Sequence, residues 1–573
     1  MNPHGTLPRG VIEDGVPGPL PAFALAEATG RQFLAAEVDV FLPGAGAAPQ
    51  GEAHGVLARG TLTQQPQTIA DFTVLRASDA GYVTRQADEG GLRVFPPILL
   101  SGVQIDRAMD LSPDGQGAAA GWGSLRFAND GGALTAMAAS RNADGRAVRV
   151  RLGRKQLLPH GVWRDPSWSE TAEIFGGLGA GWSLDEAELR LSMRDATYWL
   201  ESRADGATFA GTGGLEGAAE MAGRRKPRLR GGSASAPVRE IPAVLVIPAL
   251  GIYQISDAPG GIVALYERGL GGGITLSGIV ADITIAAPPA GTYSVESSPR
   301  GLFIRLGTFP PAGQITVDAW GAFPDGAAPS AVARVALELL RQDFAVPPAY
   351  IDAASFLGLA SDLVPGGVWL ADDADAAAVA GLLLRSAAAR LVPRRNGMLA
   401  AIGLRALGAG RLPVASYTPA QIIACSPREL GTPPYRIRVG YQRFAATQTS
   451  DLAPTLSGAR RQELASEWRI ATASDAGVLA AWRRPADPPV VETALTSATA
   501  AQALADTLRD LWCIGPGRRL YDVTLPLAYA LRHDIGEPIE ITYPGELAAG
   551  ALGRIVGEQI RTADNAAILQ VLI

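Results

Sequence analysis

The chain has 573 residues, enough for three or four domains with cores of their own. Only 18% of residues are charged, against roughly 25% in an average soluble protein, and the net charge of −6 argues against a nucleic-acid surface spread over the whole chain. The 68 glycines and 42 prolines favour short strands and turns over long helices, yet stop short of the roughly 25–30% found in disordered low-complexity chains.

Residues 1–235 read as a β-rich unit, with strand patterns at 33–42, 69–75, 97–105, 122–127 and 148–152. Leu125 and Phe127 alternate with Ser124 and Arg126, and Asn129-Asp130-Gly131-Gly132 supplies a turn. Residues 173–227 stand out. Leu189, Leu191 and Met193 alternate with Arg190, Ser192 and Arg194, the period of a half-buried strand. Residues 211–227 are too rich in glycine and charge for a core element and read as a long loop, the kind that carries function or forms an interface. Gly211, Gly213, Gly214, Arg224, Arg225, Lys226 and the nearby Trp182 are therefore the interface candidates. The basic run, which continues to Arg228 and Arg230, reads as solvated or as facing an acidic neighbour rather than as a phosphate site. Trp122, Trp163, Trp168, Trp182 and Trp199 read as core and interface anchors in preference to a carbohydrate platform.

Residues 236–325 form a second β unit, a small sandwich or barrel by pattern, with a long strand at 274–285 among its elements. Residues 326–430 read as an α/β unit. Ser330 is placed to cap a first helix, a short helix follows at 352–358, a strand at 367–370, and an alanine-rich helix at 376–391. Asp372, Asp373 and Asp375 before that helix lack the spacing of a calcium loop and read as capping acids. Residues 431–573 return to β. A strand at 435–441 is followed by a polar stretch at 447–460 that reads as an exposed arm. A helix at 497–511 turns Ala501, Leu504, Ala505, Leu508 and Leu511 to one side.

No nucleophile elbow, phosphate loop, zinc-protease or calcium-loop motif occurs, and the glycines of 211–217 do not keep dinucleotide spacing. No catalytic, cofactor-binding or metal-binding residue is assigned. Cys425 and Cys513 read as buried or weakly exposed thiols, with a disulfide between them left open, and His4, His54, His160 and His533 are not at metal-ligand spacing. The N-terminal residues lack a signal-peptide pattern, and no apolar run is long enough to span a membrane.

Several stretches carry a family resemblance: GWGSLRFANDGG followed by RVRLG, then EIFGG, LRLSMRDATYWLES, FAGTGGLEG with GRRKPRLRGG, and IYQISD followed by IVALYERG. In the C-terminal half the matching stretches are VARVALELLRQDF, RRNGMLAAIG, RVGYQRF and IGEPIEITYPGELAAGALGRIVGEQI. Residues 100–573 resemble the tail-tip or baseplate hub proteins of tailed bacteriophages and gene-transfer-agent-like particles. Ile535-Gly536-Glu537-Pro538 departs from the Gly-Asp-x-Val-like strand entry of that family. The resemblance implies a mainly β fold with an α/β insert, with tube-like barrel or sandwich domains as in phage tail hubs. It implies a non-enzymatic homotrimer in the virion of a siphophage-type particle, made in the host cytoplasm. Such a hub closes the tail tube, anchors the tape measure protein, contacts the distal tail protein and carries tip or fibre proteins for host attachment and genome ejection. It needs no cofactor, has no nucleic-acid specificity and meets the host envelope only indirectly. Two other classes fit the same composition: a tail-associated glycan or peptidoglycan hydrolase, and a receptor-binding tip module.

Overall fold

The structure is a computed structural model that describes residues 30–41, 72–100, 102–115, 117–201, 206–360, 364–408 and 410–573. The N-terminal segment with His4, and His54, lie outside the described residues. The fold is mainly β, with several sheets and short helices between them.

Alternation in sequence becomes alternation in burial. Leu125 and Phe127 turn inward from Ser124–Ala128, and Leu189, Leu191 and Met193 turn inward from Glu188–Arg194. The two strands pair antiparallel, with Leu191 opposite Leu125. They belong to a seven-stranded sheet whose path runs Phe72–Ser78, Gly30–Phe41, Ala147–Leu157, Ala172–Leu184, Glu188–Arg194, Ser124–Ala128. Trp163–Arg164 pairs off this path with Ala147–Leu157.

Two further sheets pack face to face through Leu229, Ile241, Tyr253, Ile255, Ile304 and Val317. One of them takes in Arg228–Gly231, Ile315–Gly321 and Gly367–Leu370. The last large sheet is built on Ala551–Arg561 and Ala566–Leu572. Hydrogen bonding thus runs across each composition break. Gly231 pairs with Gly321, Arg230 with Val368, and Ser416 with Glu540. The longest reach is made by Gln104–Met109, which adds to Ala551–Arg561 with Arg107 opposite Glu558.

Several expected elements differ; the long strand expected at 274–285 runs only from Thr275 to Ile279. The alanine-rich helix ends at Arg385, because Ala388 adopts a left-handed backbone and Ala389–Pro393 folds into a hairpin with Leu399–Gly403. Arg390 is therefore not at a helix end. It is buried and donates to the Asp110 and Ser112 carbonyls. The first helix is Val332–Glu338, one residue later than a Ser330 cap requires, and Ala331 precedes it with no side-chain cap. The strand expected at 97–105 is split: Leu99 makes an isolated antiparallel bridge to Phe127, and the continuous strand begins only at Gln104. In contrast, the helix expected at 497–511 forms as Ala498–Trp512, with Ser497 as its cap, and Ala501, Leu504, Ala505, Leu508 and Leu511 are all buried. Asp375 likewise caps Ala376–Arg385 through the Ala377 and Ala378 N–H groups.

The Arg107 guanidinium sits at the seam between the two ends of the chain. Its Nη2 donates to Glu558 Oε1 at 2.6 Å and to Asp534 Oδ1 at 2.7 Å, and its Nη1 donates to the Pro393 carbonyl at 2.7 Å. Arg395 reaches the same Glu558 oxygen at 3.7 Å, and Arg394 lies between Asp534 and Asp352. Burial pushes the Arg107 pKa down, but Glu558 and Asp534 outweigh it and raise it above its ordinary value. Removing one member of such a set strands the others as unpaired buried charges, which costs about 3–5 kcal/mol. Arg107→Met is expected to lower the urea midpoint of the whole chain accordingly. A midpoint unchanged from wild type would show that the seam is held by its apolar contacts alone.

Candidate interface at the glycine-rich loop

Residues 206–227 form a folded loop, with two single turns at Gly214–Glu216 and Ala219–Met221. Two apolar side chains fasten it. Phe209 and Met221 enter a small core with Val246, Ile252, Ile283 and Phe303, and Leu215 packs on its edge. The backbone closes above them. Phe209 N–H donates to Arg224 O and Gly223 N–H donates to Phe209 O, each at 2.9 Å, while Gly211 N–H donates to Glu216 O at 2.9 Å.

The three glycines differ in what they allow. Gly211 has φ +69° and an added Cβ would lie 2.7 Å from the Ala222 Cβ. Gly213 and Gly214 also have positive φ, but nothing lies within 4 Å of an added Cβ, so the apex faces open space.

The basic cluster is largely consumed within the chain. Arg225 Nε lies 2.5 Å from Asp373 Oδ1, and Lys226 Nζ lies 2.6 Å from Glu216 Oε1. Arg230 is buried between Asp257 and Asp343, both at 2.9 Å. Arg228 is buried on the same strand. Burial pushes its pKa down against the pull of Asp343 and Asp257. Arg224 is the exposed member. The loop therefore meets acidic neighbours, and one of them, Asp373, comes from the acids before the Ala376–Arg385 helix. Trp182 is not part of this group. It lies half-buried on Ala172–Leu184, in the seven-stranded sheet, beside a bulge in the pairing with Glu188–Arg194.

The other tryptophans do not make a common platform. Trp122 is buried and its indole donates to Asp195 at 2.5 Å. Trp168 is covered by Arg93 at 4.0 Å and by Arg151 at 4.7 Å. Trp199 packs on Tyr198 and Tyr350. Trp163 is 44% exposed, at a hairpin end with Leu157, Leu158 and Val162. That apolar tip was not singled out by sequence reasoning, although the run LLPHGVW carries its signal. Cys425 and Cys513 are free thiols.

The stretch at 447–460 is exposed along much of its length but is not a free arm. It lies along the turn at Arg268 and Gly269, where Ala453 N–H donates to the Arg268 carbonyl and Arg268 reaches the Asp451 and Leu452 carbonyls. Its Gln448 and Arg460 are partners for a distant carboxylate, which sequence polarity cannot distinguish from solvation. Glu240, fully buried, accepts from Thr316 at 2.6 Å, from Gln448 at 3.1 Å and from Arg460. Glu463 in turn collects Arg460 and Arg469, both at 2.6 Å, and Arg239 at 3.1 Å. Burial would raise the Glu463 pKa, but hydrogen bonds from Arg460 and Arg469 pull it down to about 2. Burial dominates at Glu240 and raises its pKa.

No family model matches the sequence, and no curated protein matches it. Among solved structures, the tail protein from Neisseria meningitidis MC58 aligns with 10% identity over 86% of this chain and 96% of that one, with a TM-score of 0.32. The 43 kDa tail protein of prophage MuSo2 from Shewanella oneidensis aligns with 12% identity over 86% of this chain and 97% of its own, with a TM-score of 0.31.

Two tests follow from this geometry. Gly211→Val combines a left-handed backbone with a clash and is expected to destabilise the chain by more than about 2 kcal/mol, whereas Gly213→Ala carries only the backbone term of about 1 kcal/mol. Equal thermal shifts for the two would contradict the packing described. Glu463 supplies the pH test. Its folded pKa lies below the ordinary value of 4.5, so its stabilisation is complete above about pH 5 and is lost as the pH falls toward 2. After allowance for solvent screening this amounts to about 1–2 kcal/mol. Glu240, with a raised pKa, contributes with the opposite sign. Glu463→Gln should flatten the acid limb of the stability profile, measured by denaturant midpoints between about pH 6 and 3. An unchanged slope would remove Glu463 from the account.

Proposed function

We propose that this chain is a structural protein of a phage-type tail, acting as a tail-tip or baseplate hub. In this reading it assembles as a homotrimer that closes the distal end of the tail tube and anchors the tape measure protein. It contacts the distal tail protein and carries tip or fibre proteins, so that host contact is indirect. Its place is the tail tip of the virion.

The observation that carries the reading is the weave of the scaffold. A strand from residues 104–109 completes a sheet of the C-terminal residues, and buried arginines lock the joint. A chain tied end to end in this way transmits load through backbone pairing and buried ion pairs, which suits a ring that must hold a tube closed. The sequence resemblance over residues 100–573 and the sparse charge point the same way, because large permanent interfaces resemble cores and are depleted in charge.

Light scattering on the purified full chain, with negative-stain imaging, tests the proposal. A mass of three chains and a ring-shaped projection is expected. A chain that stays monomeric both alone and with a cognate distal tail protein would overturn it.

A further inference from the structure

The hairpin that joins Ala147–Leu157 to Trp163–Arg164 projects from the seven-stranded sheet. All of residues 157–164 are exposed. Four of them are large and apolar: Leu157 is 53% exposed, Leu158 39%, Val162 60% and Trp163 44%. The tip is nevertheless firmly built. Leu158 N–H donates to the Val162 carbonyl at 2.9 Å, and Gly161 N–H donates to the Leu158 carbonyl at 3.0 Å. Gly161 has φ +77°, and Pro159 fixes the backbone at the start of the turn, the pattern of a three-residue hairpin loop closed by a bulge.

Both faces of this hairpin are apolar. Leu157 pairs with Trp163, and Leu158 and Val162 follow one step nearer the turn, so the two pairs lie on opposite faces. Polarity returns one step below each pair. Under Leu158 and Val162 stands Gln156 with Arg164, whose Nη2 donates to Gln156 Oε1 at 2.7 Å. Under Leu157 and Trp163 stands Lys155, with Nζ 2.9 Å from Asp165 Oδ1. Apolar and polar residues are therefore divided at one level across the hairpin, with two cations just on the polar side.

A flat protein surface would cover one face of such a hairpin and leave the other in water. The boundary between lipid headgroups and acyl chains closes around both faces at once and changes polarity at a single level. There the leucines and valine meet acyl chains, the Trp163 indole keeps its N–H near the headgroups, and Lys155 and Arg164 lie at the depth of the phosphates. We propose that residues 157–163 form a wedge that inserts into the surface of a phospholipid bilayer. This goes beyond the tail reading and does not rest on it. That reading is tested by the mass of the assembled chain, and the wedge by partition into lipid.

Co-sedimentation of the full chain with phosphatidylcholine vesicles tests the wedge. Partition is expected at about 1 mM lipid, weakened at least about tenfold by Leu158→Asp combined with Trp163→Asp. Both side chains are exposed, so the thermal midpoint of the variant should stay near that of wild type. Should this variant fail to fold by circular dichroism, Val162→Asp repeats the test at the side chain nearest the turn. Acyl-brominated phosphatidylcholine should also quench tryptophan fluorescence of the unaltered chain. Absence of wild-type partition, equal partition of wild type and variant, or binding confined to phosphatidylglycerol vesicles and kept by the variant would each overturn the proposal. A variant that keeps its partition but loses mass in light scattering would assign the tip to a second copy of the chain and overturn it as well.

Discussion

A buried guanidinium stands at the centre of the joint between the two ends of this chain. Arg107 is completely buried, and it touches Glu558, 451 positions away in sequence, together with Asp534 and the Pro393 carbonyl. Taking that charge out of water is costly, and only partners in good geometry offset the cost. Apolar contacts alone tolerate small slides between strands. A guanidinium that must satisfy two carboxylates and a carbonyl at once does not. The register of Gln104–Met109 on Ala551–Arg561 is thereby set, and with it the position of the 389–403 hairpin.

The same device recurs at the other joints. Arg230 ties its strand to Asp257 and Asp343, and so joins a sheet to the end of the helical segment near residue 343. Arg460 stands between Glu240 and Glu463 and fastens residues 447–469 to the paired sheets of residues 228–321. A chain with few charges thus places several of them inside, at joints.

Much of the β architecture was legible because period-two alternation has a direct physical cause, one buried sheet face. Leu189, Leu191 and Met193 and the Asp375 cap follow from local chemistry. The joints were harder to read, although a trace of them exists. Arg107 lies in phase with Ile105 and Met109, and all three are buried. A charge that shares the parity of the inward residues marks a buried ion pair, but the partners lie hundreds of positions away and nothing local names them. The polar stretch at 447–460 misled for the complementary reason, since its Gln448 and Arg460 serve Glu240 rather than water. The alanine-rich helix overran because alanine tolerates both helix and strand, and the pairing that claims Ala389–Pro393 is tertiary.

The glycine-rich loop shows how a composition signal narrows once packing is known. Five basic residues between 224 and 230 suggest a charged patch, yet Arg225, Lys226 and Arg230 are matched by carboxylates within the chain and Arg228 is buried. What the loop offers outward includes Arg224, Glu220 and the backbone at Gly213 and Gly214, where positive φ and open space coincide. Main-chain groups at such an apex accept close approach by another backbone, which a side chain would prevent. Contact through this loop would therefore be read in shape and main-chain hydrogen bonds, with one arginine for orientation, while the rest of the basic run holds the loop in place.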